Sequence, residues 1–314
     1  MIQLGTPPQQ IGPDGSASYD EAVRLCRINR FEEAARKLDG VLAEEPDHAP
    51  ARELLDELRR AGIGVSSAPK KENLEASTHP SRAPAFGPTT LARIATSPES
   101  WREILDFHSD LASDAYVNRM DCYYRKCRER FGDHWYYFDI TNVLYAASKT
   151  LRPRNYLEIG VRRGRSVCTV ARGCPSVNIV GFDLWVPDYA GMENPGPDFV
   201  KSELARHAHV GTLELITGNS HDAVPEYFRR HPQQTFDLIT VDGDHSEAGA
   251  LDDLLNVIPR LSTGGVLVFD DIAHPEHPYL LNVWRDAVKG RTELRTFEYT
   301  ETGYGVAFAI LQEK

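Results

Sequence analysis

No apolar run in this chain approaches 18 residues, so no membrane-crossing helix is expected. The opening stretch, Met1 to Gly15, is polar and proline-bearing, without the basic-then-apolar order of a secretion signal, and reads as a disordered leader. Cysteine is scarce and odd in number. Cys26, Cys122, Cys127, Cys168 and Cys174 form no CxxC pair, which excludes a disulfide framework and points to thiols in a reducing cytosol. Positive charge is also short: 35 Lys and Arg stand against 46 Asp and Glu, a net charge of -11. Nucleic-acid binding draws its affinity from cations neutralising phosphates, so a polyanionic partner is disfavoured. The expectation is a soluble cytoplasmic protein with a small-molecule substrate and no nucleic-acid or membrane partner. What is present is ordinary for a globular protein, 41% hydrophobic and 26% charged over 314 residues, enough for a full-sized core.

Residues 16–62 carry apolar positions at helical spacing: Ala22, Leu25 and Cys26, then Phe31, Ala34, Ala35, Leu38, Val41 and Leu42, then Ala51, Leu54, Leu55 and Leu58. Three short helices fit. The segment from Asn29 to Ala35, with Leu42 to Ala51 and its Pro46, resembles a tetratricopeptide repeat; a generic helical hairpin is the other reading. Such units need about three copies to bury a core, so this piece is expected to pack on its own catalytic domain or to join a homo-oligomer. Residues 63–90 are rich in Gly, Pro and Ser and read as a linker. Residues 91–150 read as cap helices. Tyr123, Tyr124, Trp135, Tyr136, Tyr137 and Phe138 within them either line a substrate mouth or pack in the core. From 151 to 314, apolar strands alternate with helical spacers: Tyr156–Ile159, Val177–Phe182, Thr212–Thr217, Phe236–Val241 and Val266–Phe269. A hairpin, Leu294–Tyr299 and Val306–Ile310, closes the series. The pattern predicts an α/β, Rossmann-like parallel sheet finished by an antiparallel strand.

The first of these strands runs into Glu158, Gly160, Gly164 and Ser166, a glycine-bearing turn ahead of a helix. Glycines allow the tight turn and close approach of a ligand, and the helix start offers unpaired N–H groups, as in a nucleotide cradle. The spacing is a poor match to the dinucleotide fingerprint G-x-G-x-x-G. Asp183, at the end of the next strand about 20 residues on, stands where a ribose diol needs acceptors. The pattern E-x-G-x-x-x-G-x-S resembles motif I of the class I S-adenosylmethionine-dependent methyltransferases, over roughly Tyr137 to Leu311. That resemblance implies S-adenosylmethionine as cofactor, with Glu158, Gly160, Gly164, Ser166, Asp183 and Asp242 around it. It implies adenine contacts at Asn219 or Ser220, and Trp185 or Phe182 over the nucleoside.

Asp242 and His245 follow the fourth strand, and Asp270 and Asp271 the fifth, so all four are expected on the rim where ligands bind an open α/β sheet. Carboxylates crowded in one cleft need a cation, and all-oxygen donors suit Mg²⁺ or Mn²⁺. Asp244, Asp252 and Asp253 read instead as a helix cap and a surface pair. The layout resembles the metal-dependent sugar and macrolide O-methyltransferases of the macrocin type, and their cephalosporin hydroxylase-like relatives. The resemblance implies Asp242, Asp270 and Asp271 as ligands, His245 as general base, and a hydroxyl of a small natural product of antibiotic type, or its sugar, as acceptor. It departs at Asp270, where the macrolide enzymes often carry Glu. His274 and His277 either touch substrate or face solvent, and Pro187 to Pro197 is a candidate lid. A metal-independent N-methyltransferase and a non-catalytic assembly protein are the competing functions.

Overall fold

In the computed structural model, residues 17–27, 31–60, 86–112, 114–188, 191 and 193–312 are described. The expected leader and most of the linker lie outside them. The chain divides into two compact units, Met1–His79 and Pro80–Lys314.

The first unit holds the three expected helices, α1 (Ala17–Arg27), α2 (Phe31–Glu44) and α3 (Ala49–Arg60). Helix α2 stops just short of Pro46, which disfavours helical backbone in the residue before it. Ala22, Leu25, Ala34, Ala35, Leu38, Val41, Ala51, Leu55 and Leu58 form a small core of its own. Alanines at four of these nine positions let the helices lie close.

The second unit begins with α4 (Pro88–Ala95), so the last three residues assigned to the linker are helical. Then come α5 (Pro98–Asp110), α6 (Ala115–Phe131), α7 (Ile140–Leu151), β1 (Asn155–Ile159), α8 (Arg165–Gly173), β2 (Asn178–Asp183), α9 (Pro197–Arg206), β3 (Leu213–Thr217) and α10 (Ser220–Arg230). The chain continues through β4 (Phe236–Val241), α11 (Glu247–Val257), β5 (Leu261–Asp270), α12 (Leu280–Val288), β6 (Leu294–Tyr299) and β7 (Val306–Leu311). Prolines open α4, α5 and α9, where their missing N–H costs nothing. Asp139 and Asn142 close a reciprocal cap at the start of α7.

The seven strands are ordered β3-β2-β1-β4-β5-β7-β6. Pairing is parallel from β3 through β5, and β7 runs antiparallel to both β5 and β6. This is the expected α/β sheet, parallel through β5 and finished by an antiparallel strand. Along β1 the side chains alternate, with Leu157 and Ile159 packing toward α10, α11 and α12, and Tyr156 toward α4, α7 and α8. The order reverses direction between β1 and β4, so the crevice opens where those strands end. Among the described residues no helix is long and apolar enough to cross a membrane.

Two expectations resolve at this level. Of the cap aromatics, Tyr124, Trp135 and Tyr137 cluster with Trp101 in a buried nest, with Trp135 stacked on Tyr137 at 5.1 Å, and Phe138 joins the main core. Only Tyr123 and Tyr136 stay exposed. Asp253, expected on the surface with Asp252, is instead fully buried. Helical spacing places it on the inner face of α11 with Gly249, Ala250, Leu254 and Val257.

Candidate active site

At the end of β1 the backbone turns through Gly160, at φ +91°, and Gly164, at φ +74°, with Arg162 also left-handed at φ +47°. The room left by the missing side chains is taken by protein. A Cβ on Gly160 would stand 1.8 Å from the Asp242 carbonyl oxygen, and one on Gly164 would stand 2.9 Å from Val200 Cγ1. The glycines therefore let β4 and α9 close on the turn on the side where a Cβ would stand. Hydrogen bonds lock this closure: Gly160 N–H donates to Phe182 O and Asp242 N–H to Ile159 O, each at 2.9 Å.

Glu158 is fully buried. Its carboxyl accepts the Tyr156 hydroxyl at 2.5 Å and the Ser166 hydroxyl, while Thr240 Oγ1 lies 2.9 Å from the Tyr156 oxygen. Burial pushes the Glu158 pKa up to about 8, against those two hydroxyl bonds that favour the charged form. Glu158 and Ser166 thus brace each other beneath the turn. Asp183 accepts the Arg162 N–H at 2.7 Å and the Trp185 N–H at 2.5 Å, which fixes its carboxylate at the strand end. Trp185, at φ +52°, packs half-buried against the main core, and Phe182 is wholly core, edge-on to Tyr227. Asn219 is exposed and caps α10 by accepting the His221 N–H at 3.0 Å; Ser220 is the first residue of that helix.

Arginines around this turn were not singled out from sequence. Arg163 is buried and pairs with Asp114 at 3.0 Å and with Glu193, its guanidinium 4.6 Å from the centre of the Phe199 ring. Arg165 pairs with Asp139 at 3.6 Å. Burial opposes charge on Asp139, but Arg165 and the hydroxyls of Thr141 and Tyr124 hold its pKa below the usual carboxylate range. The one available signal was the run Arg162-Arg163-Gly164-Arg165 in an acidic chain. Its partners lie on helices and loops 20 or more residues away in sequence, which no local pattern reveals.

On the other side of the turn, Asp242, His245 and Asp271 each bring one donor atom within 4.8 Å of the others. His245 Nε2 lies 3.4 Å from Asp242 Oδ1 and 3.7 Å from Asp271 Oδ2. Asp271 adopts φ +61°, a strained setting for a residue with a side chain and one concentrated at functional sites. Burial and the Asp242 charge push the Asp271 pKa up to about 7. Asp270 also titrates well above the carboxylate range, through burial and the charges of Asp271, Asp242 and Asp139. Its oxygens are not among the three grouped donors. Burial works against the charged form of His245, yet the hydrogen bond to Asp242 and the charges of Asp242, Asp271 and Asp244 raise its pKa. Tyr279 donates its hydroxyl to the His245 carbonyl at 2.8 Å and so holds the loop. Asp244, expected to cap the next helix, accepts the Ser246 N–H at 2.7 Å, and Ser246 itself caps α11 by accepting the Gly249 N–H at 3.1 Å. His274 and His277 follow on the same rim, with His277 5.1 Å from the His245 ring.

Residues 157–272, which span this rim from Leu157 on β1 to the acidic pair, match the model of a family described as a methyltransferase domain. The chain is 30% identical over 172 residues to the 8-demethyl-8-(2,3-dimethoxy-alpha-L-rhamnosyl)-tetracenomycin-C 4'-O-methyltransferase of Streptomyces olivaceus, a match covering 48% of this chain and 63% of that protein. The match thus spans a little under two thirds of that relative. Among solved structures it is similar to a TDP-rhamnose 3'-O-methyltransferase of calicheamicin biosynthesis, at 22% identity and a TM-score of 0.44, covering 69% of this chain and 95% of that one. It is also similar to an O-methyltransferase of tomaymycin synthesis from Streptomyces achromogenes in complex with S-adenosylmethionine, at 20% identity and a TM-score of 0.46, covering 68% and 98%.

Proposed function

We propose that this chain moves a methyl group from S-adenosylmethionine to a hydroxyl of a small natural product or of a sugar it carries, with Mg²⁺ or Mn²⁺ at the acidic half of the rim. The observation that carries the reading is the convergence of Asp242, His245 and Asp271 within 4.8 Å, beside the glycine turn at the end of β1 that packs against the Asp242 carbonyl. The named activity of the Streptomyces olivaceus relative, on a 4'-hydroxyl of a rhamnosyl group, supports a sugar hydroxyl as acceptor.

The donor set fits a hard dication: crowded carboxylates with raised pKa values favour any cation that meets their charge. Asp242 and Asp271 would hold it, with Asp270 adding charge from the neighbouring position. The bound cofactor supplies an electrophilic methyl on a sulfonium, and the dication lowers the pKa of a coordinated hydroxyl. Asp183, already oriented by two backbone N–H groups, offers its remaining lone pairs to a ribose diol. His245, set between Asp242 and Asp271, is the base of this reading: in its neutral form Nε2 would take the acceptor's proton. The cap and the turn hold acceptor and methyl donor in line and exclude water.

Methyl transfer to hydroxylated glycosides, read by mass spectrometry with and without a chelator, tests the reading. Turnover lost on chelation and restored by Mg²⁺ is the expected result. Turnover indifferent to chelation removes the metal, and methylation only at nitrogen removes the acceptor class.

A further inference from the structure

The loop after β5 carries a second set of donors that the proposed reaction does not use. His274, Glu276 and His277 also bring one donor atom each within 4.8 Å of one another. We propose that these three residues form a separate, nitrogen-rich cation site for a borderline ion such as Zn²⁺, which fixes the loop bearing Asp271. The inference does not depend on methyl transfer.

Two imidazoles and one carboxylate are a donor set that Zn²⁺ and its first-row neighbours take, whereas Mg²⁺ prefers oxygen throughout. With metal–ligand bonds of about 2.0–2.2 Å, donors around zinc stand roughly 3.4 Å apart. The Glu276 side chain is exposed, and the three donors already lie within 4.8 Å of one another. The backbone beneath is already folded. His274 N–H donates to Asp271 O at 3.0 Å, His277 N–H to His274 O at 3.1 Å and Leu280 N–H to His277 O at 3.1 Å. Pro275 and Pro278 fix φ on either side of the Glu276-His277 pair.

The outer contacts decide which nitrogen of His277 is free. The Tyr279 hydroxyl gives its proton to the His245 carbonyl, so at 3.1 Å from His277 Nδ1 it can only accept. His277 is therefore protonated on Nδ1 and presents a lone pair on Nε2. That is the arrangement of metal-ligating histidines, whose second nitrogen donates to an outer partner. The His274 ring lies 5.0 Å from His277 and is backed by Tyr304 at 4.3 Å. Its one local bond, from Glu276 N–H to Nδ1 at 3.2 Å, is long and gives way to an ion. The half-buried setting of both rings leaves room for water as a fourth ligand. Because Tyr279 bonds both His277 and the His245 carbonyl, an ion on His277 steadies the loop of the proposed base as well.

The test is titration of the full chain with Zn²⁺ and with Co²⁺ as a visible probe, with X-ray absorption of the Zn²⁺-loaded protein. One equivalent bound by two imidazoles is expected, retained in Asp242→Asn/Asp271→Asn and weakened at least tenfold in His274→Asn/His277→Asn. Zero or one coordinated imidazole overturns the site, as does binding that survives in the histidine variant and disappears in the aspartate variant. If the double variant fails to fold, His274→Asn alone decides, because the His274 ring lies against His277 and Tyr304: Zn²⁺ binding unchanged in that variant overturns the site.

Discussion

On the β1–β2 side of the rim, Glu158 and Asp183 each have both oxygens engaged by the chain itself, through hydroxyls in one case and backbone N–H groups in the other. On the β4–β5 side, Asp242, Asp270 and Asp271 crowd together, with the His245 ring against Asp242 and Asp271 and the Arg165 charge also acting on Asp271. The contrast separates two ways of preparing a site. One is finished before any ligand arrives, so its residues set shape. The other stores electrostatic repulsion that a ligand relieves, so its residues set affinity and response to pH.

The most damaging change should fall where the two sides join. Gly160→Ala places a methyl group against the Asp242 backbone in a left-handed conformation, and a loss of at least ~3 kcal/mol is expected, read as a large drop in unfolding midpoint. An alanine variant that melts like the parent would mean the strands are not so tightly joined. Next comes His245→Ala, which should lower turnover by about 10²–10⁴-fold with binding of S-adenosylmethionine retained. Equal loss of cofactor binding, measured by calorimetry, would erase the distinction between the halves.

The pH dependence of stability comes third. Asp271, at about 7, takes up protons on folding between its ordinary value near 4 and its folded value, and the raised His245 acts in the same sense. More protons bound in the folded state make this contribution to stability fall as pH rises, so the midpoint of the metal-free parent relative to that of Asp271→Asn should be higher at pH 5 than at pH 8. Added Mg²⁺ should raise the midpoint more at pH 8 than at pH 5. A flat profile in thermal melts would show that the acids are not coupled. The smallest effect is expected for Glu158→Gln: with a pKa of about 8 the side chain is mostly neutral at pH 7, so cofactor affinity should change less than about tenfold by calorimetry. A larger loss would mean that the charge, not the brace, matters on that side.

The sheet was legible because each buried strand is a short apolar run between turn residues, and β4 and β6 fall on the expected residues. The acids and His245 were legible because strand ends are predictable and ligands gather there. What a glycine makes room for was not: Gly160 and Gly164 face protein, a fact that depends on β4 and α9 arriving from far along the chain. Asp253 misled for a similar reason, since an acidic pair looks solvated until helical phase turns one member inward. The aromatic-rich cap could not be sorted by composition, because Tyr123 and Tyr124 are neighbours on one helix with opposite exposure.

Arg163 touches three separate stretches at once: the start of α6 through Asp114, the irregular segment after β2 through Glu193, and α9 through Phe199. A single guanidinium thus ties the turn after β1 to helices α6 and α9 and to the segment after β2 as one mechanical piece. A change at Asp114 would therefore be felt at the glycine turn as well as at the start of α6.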